Sequence, residues 1–183
     1  MEMTYFVFHG IGNIIYRLSR TNRDDRIMKK DLDAADLKLL DLVQGNCRVS
    51  LDVLAEECGL SVPSIQRRLK KLRDSRTIQK EIAVVAPEHL GYAMSFVVLV
   101  ELERETLHQL DSFRKRAKAD PQVQQCYYVT GEADFILICT ARDMQDFETL
   151  THRLFFDDSN VRRFRTSVVM DRTKIGLSIP CAN

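Results

Sequence analysis

The segment Val49–Leu72, VSLDVLAEECGLSVPSIQRRLKKL, predicts two short helices joined by a tight turn. Ser50 is a good N-cap for the first helix, because a serine hydroxyl accepts a hydrogen bond from an unpaired backbone N–H. Gly59 occupies the C-cap position, where a left-handed backbone favours glycine. Ser61 is predicted to cap the second helix, and Pro63 lies in its first turn, where a missing N–H costs little. This arrangement is typical of a helix-turn-helix.

The second helix has an apolar side and a cationic side. Its apolar residues recur at the three- and four-residue spacing of a core-facing stripe: Val62, Ile65, Leu69 and Leu72. The opposite side is polar and basic. Such a helix is often only a solvated surface, whereas a recognition helix packs one side and inserts the other into the major groove. The helix alone leaves both interpretations open.

The flanking sequence favours DNA binding. Asp33 and Asp36 predict a capping box, with Asp in place of the usual Glu, for a preceding helix whose inward residues are Leu39, Leu40 and Val43. After the second helix, Thr77–Val85 (TIQKEIAVV) predicts one or two short strands in the position of a wing. Three helices followed by a wing are more specific for DNA binding than two helices alone.

Composition and charge describe a soluble globular protein with a local basic patch. The chain has 183 residues, long enough for two small domains, and is 45% hydrophobic and 29% charged. The net charge of +1 excludes a polycation. Residues 67–80 nevertheless hold seven cations against one acid, Asp74. A patch of this kind attracts phosphates whatever the total charge.

Cysteine and histidine usage predicts neither a metal site nor another cofactor. The five cysteines form no CxxC pair and no zinc-type cluster with the four scattered histidines. An odd number of cysteines without a framework is typical of reduced thiols, so we expect a cytoplasmic protein.

Residues 1–30 differ in character from the rest of the chain. Tyr5–Leu18 is apolar but too short and interrupted to span a bilayer, and no signal-peptide pattern precedes it. We therefore expect no membrane association. The segment is predicted to be a flexible extension, and translation starting at Met28 would remove nearly all of it. The alternative is an arm that packs across a dimer partner.

From Gly91 onward the pattern alternates between strands and helices. The predicted strands are Met94–Leu102, Val123–Thr130, Phe135–Ala141 and Val161–Met170. One predicted helix, marked by Leu107, Leu110, Phe113 and Ala117, ends before Pro121; the other begins at Asp143 and turns inward Met144, Phe147, Leu150, Leu154 and Phe155. This order is the ferredoxin-like βαββαβ arrangement, so the fold class is α+β.

The first strand of this half is apolar on both faces. Its even positions are all apolar, and Val97 and Leu99 add apolar residues at odd positions. The helices of a ferredoxin-like fold cover only one sheet face, so we expect a second copy of the sheet to cover the other. Dimerisation would also pair two DNA-binding domains on two half-sites.

Four segments resemble the Lrp/AsnC, or feast/famine, family of regulators. They are LDAADLKLLDLVQGNCRVS with LAEECGLSVPSIQRRLKKLRDSRTI, then VVAPEHLG, then YVTGEADFIL, and the closing RTSVVMDRTKIGLSIP. The resemblance covers about Leu32–Pro180. It implies an N-terminal winged helix-turn-helix domain over residues 31–85, a hinge over 86–92, and a ferredoxin-like effector-sensing and dimerisation domain over 93–183. It also implies a homodimer that assembles into tetramers or octamers.

The resemblance further implies an amino-acid-like effector at the loop between the second and third strands of the sensing domain. The expected effector-binding residues are Thr130, Gly131, Glu132, Ala133, Asp134 and Phe135. Gly131 permits close backbone approach, Thr130 can donate to a carboxylate, and Asp134 or Glu132 can pair with an ammonium. The alternative is a hairpin turn whose acids face water.

The DNA-binding candidates lie on and just after the recognition helix: Ser61, Pro63, Ser64, Gln66, Arg67, Arg68, Lys70, Lys71, Arg73 and Arg76. Gln66 and Arg67 suit base edges, because Gln pairs with adenine and Arg with guanine. The basic residues that follow suit phosphates in double-stranded DNA. Arg68 lies at the edge of the core face, so a structural role is equally open.

Two positions depart from the family's pattern. The family often has an aromatic residue between the two acids of the effector loop, where this chain has Ala133. Arg76 stands where a glycine commonly precedes the wing strand. The first change can alter or abolish the effector pocket, and the second either adds a phosphate contact or marks a different turn.

The sequence leaves three candidate functions. The leading hypothesis is a sequence-specific transcription regulator tuned by an amino acid or related metabolite. The second is an effector-independent, architectural DNA-binding protein. The third is a tetrapyrrole decarboxylase of similar fold, which needs histidine or arginine groups converging on a large pocket. His108 and His152 have no obvious partner in the sequence, so we expect no enzymatic activity.

Overall fold

The computed structural model describes residues 32–158 and 160–181, which form two compact units. The helical unit contains residues 32–84 and the tail, defined here as residues 174–181. The sheet unit contains the described residues from 85 to 173. The tail therefore groups with the helices, whereas the sequence placed it with the sheet. The predicted extension over residues 1–30 lies outside the described residues.

The helical unit contains the three predicted helices. They are α1 (Ala34–Gly45), α2 (Leu51–Cys58) and α3 (Val62–Asp74). Their apolar sides meet in one core, formed by Leu39, Leu40, Leu54, Ala55, Ile65, Leu69 and Leu72. Val43, which was predicted to face inward, is only partly buried at the edge of this core.

The ends of α1 and α2 that carry predicted caps form as the sequence predicts. A carboxylate oxygen of Asp33 accepts a hydrogen bond from the backbone N–H of Asp36 at 2.8 Å, and Asp36 reciprocates, which completes the capping box. The hydroxyl of Ser50 accepts from the backbone N–H of Val53. Gly59 ends α2 with a left-handed φ of 64°. Of these residues, Gly59 makes the turn between α2 and α3.

The prediction of wing strands in Thr77–Val85 is wrong for the described chain. Residues 79–86 form neither strand nor helix, and a short 3-10 turn follows at Pro87–Leu90. A strand needs a hydrogen-bonded neighbour, and this segment contains no turn that would fold it back on itself. Ile82, Val84 and Val85 consequently remain exposed.

The sheet unit confirms the ferredoxin-like order. Its elements are β1 (Met94–Leu102), α4 (Leu107–Ala119), β2 (Val123–Tyr128), β3 (Phe135–Ala141), α5 (Met144–Thr151) with a π-helical turn (His152–Phe156), and β4 (Val161–Val168). The strands form one antiparallel sheet in the order β2-β3-β1-β4. Strands β1 and β3 have the predicted bounds, whereas β2 and β4 each end two residues early.

The helices cover one face of this sheet. On that face Phe96 stacks on Phe147 with ring centroids 3.7 Å apart. Leu107 and Met144 were also predicted to face inward, but they are 78% and 55% exposed. Each is the first residue of its helix, one turn before the helix settles onto the sheet.

The other sheet face carries an apolar patch. Val97 lies opposite Ile138, and Leu99 lies opposite Ile136, in the antiparallel pairing of β1 with β3. All four side chains are only half-buried in the single chain. We refer to these four residues as the open-face patch.

Candidate nucleic-acid interface and effector loop

Helix α3 presents a continuous polar surface opposite its buried side. Ile65, Leu69 and Leu72 anchor the helix in the core. The exposed side contains Pro63, Gln66, Arg67, Lys70 and Lys71, with Ser64 half-buried beside them. A 13-residue helix held along one side in this way can offer the other side to a groove.

The N-terminus of α3 has no side-chain cap. Ser61 occupies the predicted N-cap position, but its hydroxyl accepts no backbone N–H of the helix and instead lies 3.0 Å from the Ser64 hydroxyl. The first backbone N–H groups of the helix are thus left for an outside acceptor. A helix N-terminus of this kind favours anions such as a phosphate.

Arg68 differs from its neighbours on α3, because it faces α1. Its guanidinium donates to a carboxylate oxygen of Asp36 at 2.7 Å and to one of Asp33 at 2.9 Å. The Asp36 side chain is 4% exposed and the Arg68 side chain 24%. The sequence left open whether Arg68 supports the fold or contacts DNA, and these contacts show that it supports the fold. Arg68 joins the middle of α3 to the first turn of α1.

This ion pair also affects the carboxylate that caps α1. The pKa of Asp33 is lowered, first by the backbone N–H of Asp36 and second by the Arg68 side chain. The pKa of Arg68 is raised, chiefly by its hydrogen bond to Asp36. Both groups therefore keep their charges near neutral pH.

The two basic candidates after Lys71 have local roles. Arg73 donates to Glu81 at 2.7 Å, and this exposed pair ties the end of α3 to the irregular segment that follows it. Arg76 has a φ of 58°, the left-handed region in which glycine is commonest. Its backbone therefore makes the turn that the family assigns to glycine, and its side chain stays exposed.

The effector loop between β2 and β3 divides into an exposed and a structural half. Thr130, Gly131 and Glu132 are exposed, and Gly131 has a φ of 132° that favours glycine. Ala133 and Phe135 are buried. Phe135 belongs to the core, with its ring centroid 4.6 Å from that of Phe113. Only part of the predicted set is thus open to a ligand.

Asp134 fastens this loop to β1. Its carboxylate accepts the backbone N–H of Leu102 at 2.7 Å, and its own N–H donates to the carbonyl oxygen of Val100 at 2.9 Å. Its carbonyl oxygen also accepts the N–H of Val129. These contacts show that Asp134 holds the loop in place.

Three residues near the loop were missed by sequence reasoning. The Arg165 guanidinium lies 3.4 Å from Glu132 and 3.3 Å from Glu101. The pKa of Glu105 is raised by burial and then by the nearby Asp134. Arg165 comes from β4 and Glu105 follows β1, so only the strand order brings them here. No local sequence signal marks any of the three residues, Arg165, Glu101 and Glu105.

Neither a metal cluster nor a membrane span is found in the part of the chain that the structure describes. Over residues 32–158 and 160–181, no group of three or more His, Cys, Asp and Glu side chains is placed to hold a metal ion. Over the same residues, every helix is too short or too polar to cross a bilayer.

Comparison with known proteins identifies the family. Residues 32–73 match the AsnC-type helix-turn-helix domain, and residues 95–179 match the Lrp/AsnC ligand binding domain. An uncharacterized HTH-type transcriptional regulator from Sinorhizobium fredii is 42% identical over 150 residues, which cover 82% of this chain and 89% of that protein. The chain belongs to the Lrp/AsnC family of transcriptional regulators.

Other members support the same assignment. The leucine-responsive regulatory protein of Rhizobium meliloti is 30% identical over 148 residues, covering 81% of this chain and 95% of that one. A transcriptional regulator from Neisseria meningitidis, solved as a complex with L-methionine, has a TM-score of 0.75 at 28% identity. The matched region covers 81% of this chain and 96% of the Neisseria chain. The resemblance stated from the sequence is therefore confirmed.

Proposed function

We propose that this Lrp/AsnC regulator binds operator DNA in the cytoplasm as a dimer or larger homo-oligomer, with α3 as its recognition helix and an amino acid as its effector. The exposed polar side of α3, rigidly backed by the core, carries this proposal. Gln66 and Arg67 at its centre can pair with base edges, and Lys70 follows one turn later.

The remaining candidates on α3 would set affinity rather than sequence preference. Ser61, Pro63 and Ser64 lie at the uncapped N-terminus, which suits a phosphate oxygen. Lys70, Lys71 and Arg76 add positive charge along the same side. Arg73 can contribute by exchanging Glu81 for a phosphate, since an exposed ion pair is worth little. Arg68 is assigned to positioning α3 rather than to DNA contact.

The effector proposal rests on the exposed half of the loop and on two relatives. The Neisseria regulator and a feast or famine regulatory protein from Mycobacterium tuberculosis, 27% identical, were both solved with L-methionine. An amino acid presents one carboxylate and one ammonium group. Thr130 can donate to the carboxylate and Glu132 can accept from the ammonium, while Gly131 leaves space for both.

Dimerisation is proposed through the open-face patch. Val97, Leu99, Ile136 and Ile138 are joined on the same face by Glu101 and its ion pair with Arg163 at 2.7 Å. An apolar centre with charged residues at its rim is typical of protein interfaces. Each protomer would then contribute one copy of α3 to paired half-sites.

The proposal is tested in three steps with the purified full chain. Sites are selected from random DNA, and their affinity is measured by fluorescence anisotropy. Calorimetry against the twenty amino acids, beginning with methionine and leucine, then tests the effector, and light scattering measures the oligomer. We expect the chain to bind DNA, with an affinity that changes when one or more free amino acids are added.

If the full chain bound neither a selected site nor random DNA, the proposal would be contradicted. DNA binding without any amino-acid response would instead support the effector-independent, architectural alternative. We propose binding rather than catalysis, because the family consists of transcriptional regulators.

A further inference from the structure

The C-terminal tail packs on α1 through a small set of polar contacts. The Gln44 side chain donates to the carbonyl oxygen of Ile179 at 3.0 Å and accepts the Ile179 N–H at 2.9 Å. This is the pairing that a neighbouring strand would make. One helical turn earlier, a carboxylate oxygen of Asp41 accepts the N–H of Cys181 at 3.1 Å.

The side chain of Cys181 completes this attachment. It packs against the edge of the helical core, and its sulfur lies 3.1 Å from the Gln44 side-chain nitrogen. Burial raises the pKa of the Cys181 thiol. The preceding apolar residues of the tail, Ile175, Leu177 and Ile179, remain exposed. The attachment therefore depends on Asp41, Gln44 and Cys181 rather than on a broad hydrophobic contact.

The tail gives the helical unit a second covalent connection to the sheet unit. The chain leaves the helices once, near Val85, and returns to them after Thr173. The N–H of Val169 still donates to Ser95 of β1, and Ile179 already contacts α1. Ten residues of backbone span at most about 36 Å, so this second connection is short.

We propose that the tail is a tether that limits how far the DNA-binding domain can move, and so sets which half-site spacings the oligomer accepts. This inference rests on the proposed DNA-binding function. With one connection, the helical unit could sample many positions around the hinge. A second short connection excludes most of them, because binding two linked sites depends on how often the linkers can span them.

The attachment is suited to reversible release. Its hydrogen bonds are exposed, and such bonds contribute little net free energy, because water competes for the same groups. A change in assembly that favours a different spacing could therefore detach the tail without unfolding α1. Asp41 and Gln44 are positioning residues in this scheme, since neither is placed in the DNA-binding or effector set.

Two variants test the tether: the double substitution Asp41→Ala/Gln44→Ala, and a chain that stops after Thr173. Gln145→Ala, at an exposed glutamine of α5, is the matched control. The DNA probes are a selected pair of half-sites and the same pair with about five added base pairs, half a helical turn. Iodoacetamide labelling of Cys181, followed by mass spectrometry, measures tail release without DNA.

We expect both tether variants to bind the original pair nearly as well as the parent. In both variants the loss of DNA affinity caused by the added half-turn should shrink at least about tenfold, because the two DNA-binding domains can reach more spacings. In the double variant Cys181 should be alkylated at least about tenfold faster, since exposure controls thiol access. The control should match the parent in both assays.

Two results would overturn the tether. One is a loss of affinity for the longer half-site spacing that stays unchanged although Cys181 has become accessible. The other is an unchanged alkylation rate in the double variant, because the tail would then be held by something else. If the parent binds no DNA at all, the proposed function fails, and the alkylation rates alone decide whether Asp41 and Gln44 hold the tail.

Discussion

Helix α3 and the effector loop were both predicted as short runs of functional residues, and the structure divides each run differently. On α3, Arg68 is the candidate that faces another helix, whereas Gln66, Arg67 and Lys70 stay exposed. In the loop, about half of the set is structural. Helical periodicity states in advance which side chains point away from the core. A loop has no such period, so the direction of each of its side chains depends on contacts with other strands.

The largest expected effect concerns the buried end of the α3 ion pair. Asp36→Ala leaves the Arg68 guanidinium without its most buried partner, and we expect the helical unit to lose about 2–4 kcal/mol of unfolding free energy. Urea denaturation followed by circular dichroism measures this loss. Asp52→Ala, at an exposed acid in the first turn of α2, should change stability by less than about 0.5 kcal/mol. Equal losses would remove the distinction between the two acids.

The corresponding test in the loop is Asp134→Ala. The Leu102 N–H loses its 2.7 Å partner, and we expect about 1–2 kcal/mol of destabilisation in the sheet unit. Asp134→Asn keeps an acceptor oxygen in the same position and should recover most of this loss. If Asn were as damaging as Ala, the charge of Asp134 would matter for the loop beyond the Leu102 contact.

A smaller effect is expected at Gly131. Nothing lies within 4 Å of an added Cβ, so Gly131→Ala meets no steric clash, but its φ of 132° is strained for alanine. We expect a cost of about 1 kcal/mol, seen as a lower thermal midpoint. Effector affinity measured by calorimetry should fall as well. Unchanged values in both experiments would show that the loop readily adopts another backbone.

The smallest effect is a pH dependence at Glu105. Burial raises the pKa of this carboxyl in the folded state, so its stabilising contribution is present below its unfolded pKa and is lost as pH rises through the folded value. The parent should therefore lose stability relative to Glu105→Gln between acidic and neutral pH. Unfolding measured in both proteins across that range checks the sign. A parent that gains stability relative to Glu105→Gln as pH rises would contradict it.

The sequence predicts regular elements well and their partners poorly. Strands β1 and β3, and the caps at Asp33, Ser50 and Gly59, follow from local patterns alone. The wing strands at Thr77–Val85 do not form in the described chain, because local β propensity cannot supply a neighbouring strand. The attachment of the tail to Gln44 joins residues 135 positions apart, and no local pattern predicts it.

The central claim, that the exposed side of α3 contacts DNA while Arg68 supports the fold, is tested most directly by the salt dependence of DNA affinity. The parent, Lys70→Ala and Arg68→Ala are compared on one selected site. For Lys70→Ala we expect the slope of log K against log salt to fall by about one, as a lost phosphate contact requires. Arg68→Ala should keep the parent slope while unfolding more easily. Equal changes of slope in both variants would contradict the account.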